Sequence, residues 1–167
     1  MSRTYRDSSA MADLENIRSR TKTAKEYLES IESKHIDRFM AEYQSYELDP
    51  VSTEELRNLT TGLTIVVMSA GWCKDCVKAI LVLAQLEEEI GLDIRVFGGI
   101  KTAPLDPDHQ WRVPPSPPEI EEWGATAIPW IEIFDSQGNR VATIVEKQVV
   151  KPTLEAELVY VLKKAGA

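Results

Sequence analysis

Residues 63–97 read LTIVVMSAGWCKDCVKAILVLAQLEEEIGLDIRVF, and this stretch decides the fold. It opens with a run of β-branched and apolar residues, 63–69, typical of a strand buried on both faces. Residues 74–90 carry apolar side chains on most of a helical surface and end at Gly91, a frequent helix terminator. A second apolar run, 92–97, follows. The pattern predicts a βαβ unit, with two parallel strands and a right-handed crossover.

The sequence upstream of this unit is typical of helices. Residues 1–49 contain neither Gly nor Pro, the strongest helix breakers. From Leu14 onward, apolar residues recur at three- and four-residue steps. This spacing predicts one amphipathic helix, or two in succession with a break near residues 33–35. Pro50 is expected to close the region, and a short helix is expected to begin at Ser52.

The sequence downstream predicts a long loop, a hairpin and a last helix. Residues 98–118 are interrupted repeatedly by Pro and Gly, and both a functional role and a solvent-exposed insertion are open for this loop. After a short helix at 119–123, two apolar runs, 130–135 and 140–146, flank a Ser-Gln-Gly-Asn turn and predict a β-hairpin. The last helix is expected from Thr153, a suitable N-cap followed by acidic residues in the first turn.

The composition is that of an acidic protein with enough apolar residues for a core. The chain has 167 residues, a formal net charge of −8, a pI near 4.9 and 43% hydrophobic residues, which excludes a wholly disordered chain. Nucleic-acid binding is not expected, because phosphate affinity comes largely from clustered Lys and Arg. No apolar run reaches the roughly 18–20 residues of a membrane helix. The N-terminus lacks an apolar secretory core, so we expect a cytoplasmic protein.

The two cysteines of the chain, Cys73 and Cys76, lie where the first strand is predicted to turn into the helix. Free backbone N–H groups and the helix dipole favour a thiolate there. Three-residue spacing puts both sulfurs on one side of the helix, within reach of a disulfide. Cys73 is the expected attacking thiol and Cys76 the resolving one. Between them, Lys74 favours the thiolate and Asp75 opposes it, so their net effect on the redox potential has no predicted sign.

The cysteine pair has two other interpretations, a zinc site and an inert packed pair. A zinc site would need two further ligands, and the histidines of the chain, His35 and His109, are far apart and lack paired spacing. Inert cysteines that only pack would not favour a position directly after a buried strand. Both interpretations are weaker than a redox-active pair, and no metal site is expected.

Two motifs in this order of elements resemble the thioredoxin family: WCxxC at 72–76 after an apolar strand, and WGxxxIP at 123–129 before a hairpin and a terminal helix. The resemblance implies an α/β thioredoxin fold, in which helices flank a central mixed sheet. It divides the chain into an N-terminal helical extension, 1–50, that packs on the domain or on a partner, and a thioredoxin-like domain, 51–167. The Pro-rich segment 98–118 would then be an insertion in that domain.

The resemblance also assigns residues around the cysteines. It implies that the Ile128–Pro129 peptide is cis, lies against the pair and exposes backbone groups to a partner strand. Trp72 resembles the family tryptophan that flanks the nucleophile. Val67 stands where the family often has a buried Asp that takes the proton of the second cysteine, so that role is empty here. Asp75 or water is the expected substitute.

The expected function is thiol–disulfide exchange. A cytoplasmic protein of this kind would reduce disulfides of client proteins and be re-reduced by a reductase or a small thiol. No bound cofactor is needed, because the redox chemistry resides in the cysteines. The alternative is a non-catalytic interaction or redox-sensing module whose N-terminal helices dock a partner or mediate self-association into a homo-oligomer.

Overall fold

The structure is a computed structural model that describes residues 2–7, 11–31, 33–102, 105–106, 110–111, 113–145 and 151–166, with the backbone alone for 2–7, 33–35, 38–39 and 42. Its elements in chain order are β1 (Ser2–Asp7), α1 (Leu14–Ser19), α2 (Ala24–Ser30), α3 (Ser33–Ser45), α4 (Pro50–Leu59), β2 (Thr64–Met68), α5 (Lys74–Ile90), β3 (Asp93–Phe97), α6 (Glu119–Glu122), β4 (Trp130–Phe134), β5 (Arg140–Val145) and α7 (Leu154–Lys164). Among these residues, no helix combines the length and the apolarity that crossing a membrane requires.

The described strands form a five-stranded mixed sheet in the order β1-β5-β4-β2-β3. Strand β2 pairs parallel with β3 and antiparallel with β4. Strand β5 pairs antiparallel with both β4 and β1. The predicted parallel pair joined by a helix and the predicted hairpin are therefore both confirmed, and so is the helix that begins after Thr153.

Strand β2 is held by hydrophobic cores on both faces of the sheet. All five of its residues are buried, and alternate side chains point to opposite faces. Ile65 and Val67 belong to the core cluster that also contains side chains of α5 and α7. Val66 and Met68 belong to a second cluster, together with Trp123. Because both faces are packed, the turn that follows β2 is fixed relative to the sheet.

The N-terminal segment differs from the sequence expectation in two ways. Strand β1 is not predicted by the pattern of its residues; it forms because its backbone pairs with β5, and it becomes an edge strand of the sheet. Three helices, α1, α2 and α3, replace the predicted one or two in the described part of this segment. The break before α2 has a local cause: Thr23 is an N-cap whose side chain accepts from the backbone N–H of Glu26, and Glu26 accepts from that of Thr23.

Pro50 begins a helix and does not close the preceding region. Asp49 is the N-cap of α4, and its side chain accepts a hydrogen bond from the backbone N–H of Ser52 at 3.0 Å. Proline suits the first position of a helix, because its missing N–H would have no partner there. The helix therefore starts two residues earlier than the Ser52 start that the sequence predicts.

The segment around α2 is attached to both β3 and α5. The backbone N–H of Lys22 donates to Val96 at 3.2 Å, and that of Val96 donates back at 2.7 Å, which extends the sheet edge by one bridge. Glu87 of α5 accepts from the backbone N–H groups of Ala24 at 3.0 Å and Lys25 at 3.2 Å. These N–H groups lie in the first turn of α2 and have no hydrogen-bond acceptor within the helix, so Glu87 supplies one. The division into an extension, 1–50, and a domain, 51–167, stays a prediction.

A buried carboxylate joins the segment before α4 to α7. Glu155 has no exposed surface. It accepts from the hydroxyl of Tyr46 at 2.7 Å and from the backbone N–H of Asp49 at 2.9 Å. Burial and the hydrogen bond to Glu155 raise the pKa of Tyr46, so the hydroxyl stays protonated and remains a donor.

Replacing Tyr46 by phenylalanine should therefore lower the free energy of unfolding by about 1–2 kcal/mol, because a buried carboxylate loses a donor. Urea denaturation at neutral pH measures the change. Tyr43→Phe is the matched control and should change stability by less than about 0.5 kcal/mol. Equal effects of the two substitutions would contradict the role given to the hydroxyl of Tyr46.

Candidate redox site

Cys73 and Cys76 form a disulfide at the N-terminus of α5, with their Cα atoms 5.2 Å apart. Cys73 is the N-cap of this 17-residue helix, and its Sγ accepts from the backbone N–H of Cys76 at 3.3 Å. Cys73 is half-buried, whereas Cys76 has no exposed surface. Cys73 is therefore the member of the pair with exposed surface, and it lies at the positive end of the helix dipole.

The turn that carries Cys73 is fixed by backbone hydrogen bonds to the end of β3. The N–H of Ser69 donates to Phe97 at 2.9 Å, and the N–H of Ile100 donates to Ser69 at 3.2 Å. The N–H of Cys73 then donates to Ala70 at 3.1 Å, which closes the turn into the helix. The predicted order of buried strand, tight turn and helix thus positions the cysteine pair.

The segment before β4 brings the second predicted motif to the same place. The carbonyl oxygen of Ile128 lies 3.9 Å from the Sγ of Cys73. The Ile128–Pro129 peptide is cis, and Pro129 is buried at the start of β4. Ile128 and Cys73 both pack against the core cluster that contains Trp130. The structure therefore brings residues 73 and 128 together although they are distant in sequence.

Three further predicted residues surround Cys73. Trp72 is 51% exposed, and its indole N–H donates to the carbonyl of Ile100 at 3.3 Å. The hydrogen bond holds the ring in place while about half of the residue stays in contact with solvent. Lys74 and Asp75 are both exposed in the first turn of α5. Their opposite charges lie next to the thiol position, as the sequence indicates.

The position that the family often fills with a buried acid is apolar in this protein. Val67 has no exposed surface, and its register partners are Val96 and Ile131. In the part of the chain that the structure describes, no cluster of His, Cys, Asp and Glu could hold a metal ion. His109 and the side chain of His35 lie outside that part, so the zinc alternative is untested at these two positions.

Sequence reasoning missed a buried acid in β4, the strand that directly follows Ile128 and Pro129. Glu132 of β4 has no exposed surface; it accepts from the indole N–H of Trp130 at 2.7 Å and from the hydroxyl of Thr143. It pairs in register with Val66, so it lies on the sheet face opposite to Val67. The sequence signal for this buried acid was a single Glu inside the apolar run WIEIF. An acid at such a position indicates polar partners, because an acid is rarely buried without them.

The order of the sheet, the disulfide at the N-terminus of α5 and the Ile128 carbonyl beside it define the class: a thioredoxin-like α/β protein with a CxxC pair. Residues 21–101 match a family model described as thioredoxin, and this match includes α2 and α3 as well as the βαβ unit. This match, which covers just under half of the chain, supports a thioredoxin-like family, as the sequence resemblance implies, and the chain has the thioredoxin fold. No curated protein matches the chain.

Two solved structures share this fold across more than nine-tenths of the chain. A protein of unknown function from Pseudomonas aeruginosa is 16% identical, with a TM-score of 0.61 over 93% of this chain and 94% of its own. An HIV epitope scaffold is 14% identical, with a TM-score of 0.62 over 92% of this chain and 95% of its own. Thioredoxin f from spinach chloroplast is 14% identical, with a TM-score of 0.40 over 67% and 83%. Such identities bear on the fold alone.

Proposed function

We propose that this protein is a thiol–disulfide oxidoreductase that reduces disulfides of client proteins in the cytoplasm, with Cys73 as the nucleophile and Cys76 as the resolving thiol. The observation that carries the proposal is the asymmetry of the pair: a half-buried Cys73 at the helix N-cap beside a fully buried Cys76. Thiol–disulfide exchange needs this asymmetry, because one sulfur must be accessible to the client disulfide and the other must lie close enough to resolve the mixed disulfide. The disulfide in the structure corresponds to the oxidised state.

In the first step, the thiolate of reduced Cys73 attacks one sulfur of the client disulfide. The client S–S bond breaks, a mixed disulfide with Cys73 forms, and the other client sulfur leaves as a thiolate that takes a proton. In the second step, the thiolate of Cys76 attacks the Sγ of Cys73. The Cys73–Cys76 bond forms, and the second client sulfur leaves. Two electrons and two protons pass to the client, and an external dithiol or a reductase returns them to the protein.

The surrounding residues have proposed roles in these steps. The helix N-terminus and the ammonium of Lys74 stabilise the Cys73 thiolate, whereas Asp75 opposes it. Ile128 and Pro129 present backbone to an extended client segment next to Cys73, and Trp72 shapes the opposite side of that docking surface. Because Val67 supplies no acid, Asp75 or water takes the proton of Cys76; an unchanged rate of mixed-disulfide resolution in Asp75→Asn would assign this step to water.

Reduction of insulin by dithiothreitol tests the proposal directly. We expect catalytic amounts of the protein to shorten the lag before the reduced insulin chains precipitate. A rate equal to that of dithiothreitol alone would contradict catalysis. The reduction potential of the cysteine pair then gives the direction: about −270 mV, as in thioredoxin, fits a reductant, and about −120 mV fits an oxidant. The proposed chemistry needs no bound cofactor.

One observation favours a second candidate, a non-catalytic interaction or redox-sensing module. The site lacks the buried acid that the family often uses, because Val67 occupies that position. Val67 is itself fully buried in an apolar cluster. A protein of this second kind would cycle between its dithiol and disulfide forms without multiple turnovers. The insulin assay separates the two candidates, since a sensor gives no rate above that of dithiothreitol.

A further inference from the structure

A cavity of about 390 Å³ opens beside Trp72, on the side formed by the N-terminal segment. One wall consists of Gly71 and Trp72 from the turn that carries Cys73, together with Gly98 and Gly99 after β3. The opposite wall comes from residues 20–31, between α1 and the end of α2. The cavity is therefore adjacent in sequence and in space to the proposed nucleophile, and α2 completes it.

The glycines leave backbone at the cavity surface. A Cβ atom on Gly98 would lie 2.3 Å from Cε1 of Tyr27, so no side chain fits between the turn and α2. Gly99 has φ of +77°, a conformation that favours glycine. Tyr27 is held in place by burial and by a hydrogen bond of 3.0 Å between the side-chain oxygens of Tyr27 and Ser69. The exposed backbone of Gly99, close to this fixed aromatic ring, suits an extended peptide of a few residues.

The charge of the cavity is opposite to that of the protein as a whole. Lys22 lines it with an exposed side chain that makes no ion pair with the described residues, in a chain of net charge −8. Arg20 also lines it, but its guanidinium is bound to Glu119. Glu26 of α2, which does not line the cavity, is engaged with the N-cap Thr23, and those bonds, with smaller effects of Arg95 and Lys22, lower its pKa. Among the described residues that line the cavity, Lys22 is thus the cation available to a ligand.

We propose that this cavity binds an acidic segment of the client protein, next to the cysteine that Cys73 attacks, and that Lys22 selects for its carboxylate. The inference rests on the proposed oxidoreductase function and adds a substrate preference to it. A surface of net charge −8 disfavours acidic segments elsewhere on the protein, so Lys22 gives a local attraction where the client must dock. The N-terminal helical segment then contributes to substrate choice in addition to packing on the domain.

Three synthetic peptides test the preference, each with one internal disulfide and differing only in two residues beside one cysteine: Glu, Gln or Lys. The rate constant for oxidation of the pre-reduced protein is measured with each. We expect the Glu peptide to react roughly three to ten times faster than the Lys peptide at low ionic strength, and the ratio to shrink in salt. Lys22→Glu should reverse the ratio, and Lys25→Glu, on the same segment but outside the cavity, should preserve it.

The outcomes separate the two proposals. Equal rates for the three peptides with the unmodified protein, or a preference for Glu that survives Lys22→Glu, would overturn the assignment of the cavity and leave the oxidoreductase intact. Failure of every peptide to oxidise the reduced protein would instead overturn the oxidoreductase function. A reversed ratio in Lys22→Glu with an unchanged ratio in Lys25→Glu supports the cavity, because the two variants have the same net charge.

Discussion

Replacing Cys73 by serine should reduce the catalysed rate of insulin reduction to that of dithiothreitol alone, whereas Cys76→Ser should stop the reaction after its first step. Cys73 is the half-buried sulfur at the N-cap of α5, so a client has no other accessible thiol to meet. Serine lacks a nucleophile that can form a disulfide. The variant should therefore lose the catalysed rate completely and form no covalent adduct.

Cys76→Ser should behave differently because the first attack does not need the second sulfur. Cys76 is fully buried and donates its backbone N–H to the Sγ of Cys73, a bond that serine preserves. Thiolate stabilisation at Cys73 should persist, and the mixed disulfide should accumulate because no resolving thiol releases the client. Mass spectrometry under non-reducing conditions should show one client fragment bound per protein, removable by dithiothreitol.

A matched control for both variants is Lys78→Ser. Its side chain is exposed on the same helix, beyond the first turn, so the same residue is introduced without change to the sulfurs. It should retain the catalysed rate. A stable adduct in Cys73→Ser, formed through Cys76, would reverse the assigned roles, and equal turnover in all three variants would remove the cysteines from the mechanism.

The sequence predicts the centre of this fold well because its signals are local. Short sequence patterns predict β2, the helix that ends at Gly91, and the turn between β4 and β5. The structure confirms each of these elements. The position of the cysteine pair follows from the same stretch. The proximity of the pair to Ile128 does not follow from that stretch, because the 3.9 Å approach is a tertiary contact. It was predicted from the resemblance to a family.

The features that the sequence did not predict depend on tertiary partners. Strand β1 owes its conformation to pairing with β5, a strand more than a hundred residues away in sequence. Glu132 is buried because Trp130 and Thr143 supply donors to its carboxylate, and an isolated Glu in an apolar run gives no hint of those partners. The cavity beside Trp72 likewise needs α2 to lie against Gly98, and a Gly-Gly pair after a strand predicts only a turn.

Gly98→Ala should lower the free energy of unfolding by about 3 kcal/mol, the upper end of the usual effect of an added methyl group in a packed interior. The new Cβ would stand 2.3 Å from Cε1 and 2.8 Å from Cδ1 of Tyr27. The ring has little freedom to move, because Tyr27 is only 5% exposed and its hydroxyl is hydrogen-bonded to Ser69. Relief therefore requires α2 to shift away from β3. Urea denaturation measures the loss.

A double-mutant cycle with Tyr27→Ala identifies the cause of that loss. If the clash with the ring dominates, Gly98→Ala should be nearly neutral in a Tyr27→Ala background, so the two substitutions should couple by more than about 1 kcal/mol. Gly124→Ala is the control: its Cβ would meet nothing within 4 Å, and its cost arises from φ of +70° alone. That cost should be the same with either residue at position 27. Additive effects of Gly98→Ala and Tyr27→Ala would mean that α2 does not lie on Gly98, and the wall of the cavity beside Trp72 would then be lost as well.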